Sequence, residues 1–250
     1  MLACHAAGMA RSPQTHALHR LADRQQTDRA ALDQLLDGEL AGTLSTVVDG
    51  EPLVVPMLFA RDGDRIILHG STGAGALRQV AAGAPAALCV TALDAIVVAS
   101  STFDSSANYR SAVIRGRLEQ LDARDGWDAL NLLSDKMIPG RVSEVREMTA
   151  KERAATLAVA LPITDGSWIM KARSGPPSAP SDEGSSADAA SADGAGADGV
   201  SAEGDGGVPW QGVVPLHRTF GEPEPAPWLA DTVEVPASVR RLGRVGRSPR

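Results

Sequence analysis

Aromatic residues are scarce: one Tyr, three Phe and four Trp make up 3% of 250 residues. A core must therefore be built from Val, Leu, Ile and Ala, which a 43% apolar content permits. Cysteine is almost absent. Cys4 and Cys89 are the two in the chain, and their separation offers neither a metal spacing nor a disulfide framework. Cys89 sits in the apolar run 86–90 and is expected as a buried thiol. No apolar run reaches the length of a membrane-spanning helix, and the first eleven residues lack the long apolar centre of a secretory leader. A reducing cytoplasm is the expected compartment, with no membrane association.

Basic residues are missing from one long stretch. Between Ser174 and Leu216 there is no Lys or Arg, while seven acids lie there: Asp182, Glu183, Asp188, Asp193, Asp198, Glu203 and Asp205. These account for the net charge of −7, and the remaining acids and bases balance. A near-neutral folded part argues against a nucleic-acid groove. The end of the chain reverses the sign, with Arg240, Arg241, Arg244, Arg247 and Arg250 and no acid among them.

What is present reads mainly as strands. Residues 1–26 show no sustained period and are expected as a disordered arm. Thr27 or Asp28 suits the cap of a helix over 29–40, whose Leu32, Leu35, Leu36 and Leu40 recur at helical spacing. Strands are expected over 43–48, 53–60 and 65–69, joined by turns at Asp49-Gly50 and Asp62-Gly63, which is a meander. A short helix over 76–82 follows. Strands over 86–92, 95–101 and 109–121, a helix over 125–137, and strands over 154–162 and 167–173 complete the block. Residues 174–208, rich in Ser, Gly, Ala and acids, cannot bury enough apolar surface to offset the entropy of ordering and are expected as a disordered insertion. A last strand and a C-terminal segment occupy 209–236, and 237–250 is expected as a basic disordered tail. The main domain spans 27–173. Many short strands with few helices, and no βαβ alternation, predict a mainly β fold, a barrel or a sandwich.

Chemistry is concentrated in a few places. The segment 68–75, Leu-His-Gly-Ser-Thr-Gly-Ala-Gly, ends a strand in a loop of hydroxyls and glycines. Such a loop suits a phosphate, with Arg78 one turn further on, and equally suits an exposed turn. It lacks the Gly-Lys-Ser/Thr ending of a Walker loop. His69 can act as acid, base or hydrogen-bond donor, or serve structurally; no second histidine lies near it in sequence, so no metal site is expected. Arg110 offers a planar fork to a phosphate or carboxylate, or to a surface ion pair. Lys171 and Arg173 close a strand and can reach an anion. Trp210 is expected to pack at the barrel's end. There is no nucleophile elbow and no catalytic triad.

Six pieces in order resemble the pyridoxamine 5'-phosphate oxidase-related flavin-nucleotide-binding proteins, in the branch that includes nitroimidazole-resistance proteins. They are the apolar strand closing on Pro56, Arg61-Asp62-Gly63-Asp64 before Leu68-His69-Gly70-Ser71, Asn108-Tyr109-Arg110-Ser111, Pro139-Gly140-Arg141, Lys171 to Pro177, and Trp210 to Leu216. The resemblance implies a split β-barrel that dimerises and holds FMN at the subunit interface. It places Val55, Pro56 and Met57 along the flavin ring, with His69, Ser71 and Thr72 by the ribityl chain or phosphate. Arg78 adds charge, Arg110 and Ser111 face the cofactor, and Lys171 joins them. It implies a flavin-dependent oxidoreductase acting on a small molecule. The alternative is a non-catalytic module binding or sensing flavin, heme or a deazaflavin. No catalytic residue is assigned. Where the family has a His-rich stretch, this chain has Phe103-Asp104-Ser105-Ser106. If those histidines touch substrate, the substrate or the activity has changed.

Overall fold

The computed structural model describes residues 22–71, 73, 83–178, 209–230 and 232–245. The expected helix over 76–82, most of the acidic insertion and the first 21 residues lie outside them. The chain divides into two compact units: Met1–Ala92 with Arg110–Ala172 and Arg218–Arg250, and Leu93–Tyr109 with Arg173–His217.

In the first unit, the strands are β1 (Gln25–Gln26), β2 (Ala41–Val48), β3 (Glu51–Asp62), β4 (Arg65–Ser71), the first half of β5 (Pro85–Val98), most of β6 (Ser106–Arg117), β7 (Glu119–Gln120), β8 (Thr156–Pro162) and β9 (Trp168–Arg173). They follow the hydrogen-bonded order β1-β9-β6-β5-β2-β3-β4-β8-β7. Among the described residues four α-helices accompany them: α1 (Arg29–Gly38), α2 (Ala123–Met137), α3 (Ala150–Ala155) and α4 (Ala237–Val245).

The meander forms as its turns dictate. Val48 pairs with Glu51, leaving the two-residue loop Asp49-Gly50 with φ of 52° and 85°. That geometry needs residues tolerant of positive φ, and Asp-Gly supplies them. Asp62 pairs with Arg65 around Gly63-Asp64. Asp28 caps α1 by accepting from the Ala30 N–H at 3.0 Å, and Leu32, Leu35 and Leu36 are fully buried as their spacing predicts. The helix stops at Gly38, short of Leu40, because Glu39 turns to extended backbone. Buried Glu39 pairs with Arg218.

One apolar cluster joins Leu32, Leu44, Phe59, Leu68, Leu88, Ile114, Leu161 and Met170. This defines a core face of the sheet. A second cluster, Ala60, Ile67, Ala160, Ala129 and Leu133, lies on the opposite face, where α2 covers β3, β4 and β8. β4 is therefore sandwiched, and Ile66, Ile67 and Leu68 are all buried.

Several expectations are corrected. The runs 86–92 and 95–101 are joined through Asp94 into one strand, β5, which ends at Val98. Within it burial alternates, so Ala86, Leu88 and Val90 face the core and Cys89 faces out; the thiol is exposed. The strand expected over 109–121 ends at Arg117, and β7 then pairs with β8. Gln25 and Gln26, assigned to the arm, pair with Lys171 and Met170. The tail from 237 begins as helix α4, whose buried Ser238 gives its N–H, at 2.9 Å, and its hydroxyl to the Glu144 carboxylate. A tertiary partner, not local composition, orders this segment.

The second unit holds the far half of β5 paired with β10 (Gly212–Pro215), from Ala95↔Pro215 to Val98↔Gly212. Trp210 lies over Gly212, where a Cβ would sit 2.8 Å from the indole, yet the ring is largely exposed. It packs on one strand rather than closing a barrel end.

Candidate cofactor site

The fork between β3 and β4 is the feature on which the candidate residues converge. The two strands are paired from Asp62↔Arg65 to Phe59↔Leu68. Beyond that point β4 continues with β8 alone: His69 opposes Ala158, Gly70 opposes Leu157 and Ser71 opposes Thr156. Over residues 51–58, β3 keeps β2 as its partner and its other edge has no strand among the described residues. The split exposes backbone donors and acceptors along 53–58, which a planar ligand with hydrogen-bonding edges can use.

Register assigns each side chain a face. Val55 pairs with Leu44 and Met57 with Gly42, so both lie on the core face; Met57 packs against the core and Val55 is exposed at the open edge. Val54, Pro56 and Leu58 point to the outer face and are exposed. His69, opposite Ala158 and in phase with Ile67, belongs to the outer face. It marks where that face passes from the cover of α2 to the open strip of Leu58, Pro56 and Val54. Ser71, two residues on, is exposed, and its hydroxyl accepts the Gly73 N–H at 3.1 Å.

His69 is half-buried, and its Nδ1 is wholly buried without a hydrogen-bond partner. An orphaned buried nitrogen is costly and calls for an explanation. Burial also holds its pKa below the usual 6.5, so the ring is neutral at neutral pH. A neutral imidazole can donate from one nitrogen and accept, or coordinate, with the other.

The remaining candidates lie elsewhere. β6 and β9 stand three and four places from β3 in the strand order. On β6, Arg110 is in phase with buried Ala112 and Ile114, while Ser111 points outward; both are half-buried. Lys171 is half-buried and out of phase with Met170, hence outward, paired with Gln25. One chain thus presents two groups, one at the β3–β4 fork and one on β6 and β9. Thr72 and Arg78 lie outside the described residues.

The outer face also carries groups that sequence reasoning passed over. Ser45, Val47, Pro52, Ala87, Arg115 and Arg117 surround an open cavity of about 540 Å³. Arg115 and Arg117 alternate with buried Ile114 and Leu118, so the signal was the strand phase. In the second unit, Asn108 has a structural role. Its side chain donates to the Gly175 carbonyl at 3.0 Å and accepts from Arg173 at 2.6 Å, joining the Asn-Tyr-Arg-Ser and Arg-Ser-Gly-Pro segments. Among the described residues no cluster of His, Cys, Asp and Glu could hold a metal ion by itself.

A family model described as pyridoxamine 5'-phosphate oxidase matches residues 28–170. The solved structure of an FAD and heme binding protein from Mycobacterium smegmatis is 42% identical, covering 88% of this chain and 97% of that one, with a TM-score of 0.74. The flavocytochrome Anf3 from Azotobacter vinelandii is 27% identical over 92% of this chain and 98% of its own, also with a TM-score of 0.74. No curated protein matches.

Proposed function

The chain belongs to the pyridoxamine 5'-phosphate oxidase family and has the split β-barrel fold, and from that premise we propose that it binds a flavin nucleotide at the β3–β4 fork. The observation that carries the reading is the buried, unpartnered Nδ1 of His69 beside the open edge of β3. Val54 to Met57 would lie along the ring, with His69 and Ser71 toward the ribityl chain and phosphate. FMN is the smaller form and is the cofactor proposed; FAD is what the Mycobacterium smegmatis neighbour binds. When bound, a flavin supplies electron and hydride transfer, and the protein supplies position and electrostatics. Here β3 offers backbone partners, and His69 remains neutral to share a hydrogen bond without adding charge. The activity proposed is that of an oxidoreductase acting on a small molecule.

The homodimer belongs to the same proposal. On the outer face of β2, β3 and β5, the side chains of Val47, Val54, Pro56, Leu58 and Cys89 are exposed, and no helix among the described residues covers them. An exposed apolar strip of this kind suits a two-fold partner. Ser111 and Lys171 of one copy, which point outward, would then complete the fork of the other, while Arg110 stays on the core side of β6.

A second reading adds heme. Two neighbours, 42% and 27% identical, are an FAD and heme binding protein and a flavocytochrome, and a neutral buried imidazole is a common iron ligand. The test is a titration of the purified protein with FMN, FAD and hemin, followed by absorbance, beside His69→Ala. Saturable flavin binding weakened at least tenfold in the variant supports the first reading. A Soret band lost in the variant while flavin binding persists supports heme at His69. Failure of all three to bind removes both.

A further inference from the structure

Residues 219–236 have their ends fixed and their middle turned outward. At one end Arg218 pairs with buried Glu39. At the other, Ser238 is fully buried on Glu144, and Arg241 donates to the Pro139 carbonyl at 3.0 Å. Between these anchors the described residues form no helix or strand, and they expose Phe220, Trp228, Leu229, Val233 and Val235. Trp228 is 86% exposed. Pro223, Pro225 and Pro227 stiffen the segment by fixing φ. A solvated loop is normally polar outward. This one exposes large apolar side chains beside its acids, with Glu222, Glu224 and Glu234 also open to solvent, and a cluster of exposed apolar groups of this size marks an interaction surface.

Its chemistry also identifies the partner. The segment carries Glu222, Glu224, Asp231 and Glu234 and no base. The outer face described above carries Val47, Pro52, Val54, Pro56 and Leu58, with Arg115 and Arg117 beside them; among the outward positions of β2, β3, and of β5 and β6 within the first unit, the one carboxylate is Asp62 at the far end of β3, where it pairs with Arg65. Acidic and apolar on one side, basic and apolar on the other, the two patches are complementary, and both are exposed on a single chain.

We propose that residues 219–236 form a clasp that lies on the outer face of a second copy of this chain, each copy clasping the other. The clasp rests on the dimer reading above. Trp228 and Phe220 are its anchors, since large aromatics at the centre of an interface carry most of its energy. The acids sit toward Arg115 and Arg117.

Two measurements test it on the full chain. In a Cys4→Ala background, Leu229→Cys is paired with native Cys89, or with Val54→Cys after Cys89→Ser, and mild oxidant is added. A covalent dimer on a non-reducing gel is expected, and it should be absent when Leu229→Cys stands alone with Cys89→Ser. Separately, Phe220→Ser with Trp228→Ser should raise the dimer dissociation constant at least tenfold by sedimentation. A dimeric wild type that gives no cross-link and an unchanged dissociation constant in the serine variant overturns the clasp and leaves the dimer. A monomeric wild type overturns both.

Discussion

Lys136 on α2 holds its ammonium 3.8 Å from the centre of the Phe59 ring while donating, at 2.7 Å each, to the carbonyls of Leu36 and Glu39. One side chain thereby closes the C-terminal end of α1, satisfying carbonyls the helix leaves open, and ties α1 to α2 across β3. Burial brings the Lys136 pKa down to about 8, against the pull of nearby Asp37 and Glu39. The unfolded chain, with an ordinary lysine, then holds more protons than the folded one between about pH 8 and 10.5. Stability owed to this group rises with pH across that window. Melting temperatures of the wild type and Lys136→Met, measured from pH 7 to 10.5, should diverge in the wild type's favour as pH climbs. Parallel curves would refute the burial.

His69 pits folding against ligand. Without a ligand its Nδ1 lacks a partner, so His69→Leu should leave unfolding free energy unchanged or raise it by about 1 kcal/mol while flavin binding is lost. Because burial lowers its pKa from 6.5, the unfolded state takes up the proton first, and wild-type stability should fall as pH drops through 6.5. The leucine variant lacks that component. Denaturant titrations at pH 7.5 and 5.5 check both points, and a loss well above 1 kcal/mol at pH 7.5 would mean that Nδ1 has a partner after all.

Two glycines should respond oppositely to alanine. A Cβ at Gly42 would lie 3.1–3.2 Å from Leu88, the Cys89 carbonyl and Val90, and a backbone oxygen has little room to give. Gly42→Ala should cost about 1–3 kcal/mol. Gly38 ends α1 with open space around the same position and no positive φ, so Gly38→Ala should add about 0.5–1 kcal/mol by restricting the unfolded chain. Urea midpoints with an unchanged slope would report both.

Glu144 sets the docking of α4. Its carboxylate accepts the hydroxyl and the N–H of Ser238 and pairs with Arg141, contacts that hold its pKa below the usual 4.5. Glu144→Gln should loosen the C-terminal helix and speed limited proteolysis within it. The wild type should lose the same protection as pH falls through the depressed folded pKa, since a lowered carboxylate pKa contributes only above it. Equal cleavage of variant and wild type at pH 7 would place the anchor elsewhere.

Local signals were strong wherever short-range chemistry decides structure. Asp-Gly turns and the leucine stripe of α1 each follow from neighbours a few residues apart, and each is legible in the chain. So was the set of motifs around His69, Arg110 and Lys171, together with the family to which it points. The phase of a strand, however, acquires meaning only against a core. Cys89 lies in an apolar run, and it is exposed because Leu88 and Val90 on either side took the buried face. The parting of β3 from β4 depends on β8 pairing with His69 to Ser71 from nearly ninety positions away, and no local pattern records it. The same holds for α4, which Glu144 orders from 94 positions earlier in the chain. Residue types determined which elements form and which groups are available for chemistry. The tertiary structure decided which side of the sheet they face and left the His69 nitrogen buried without a partner.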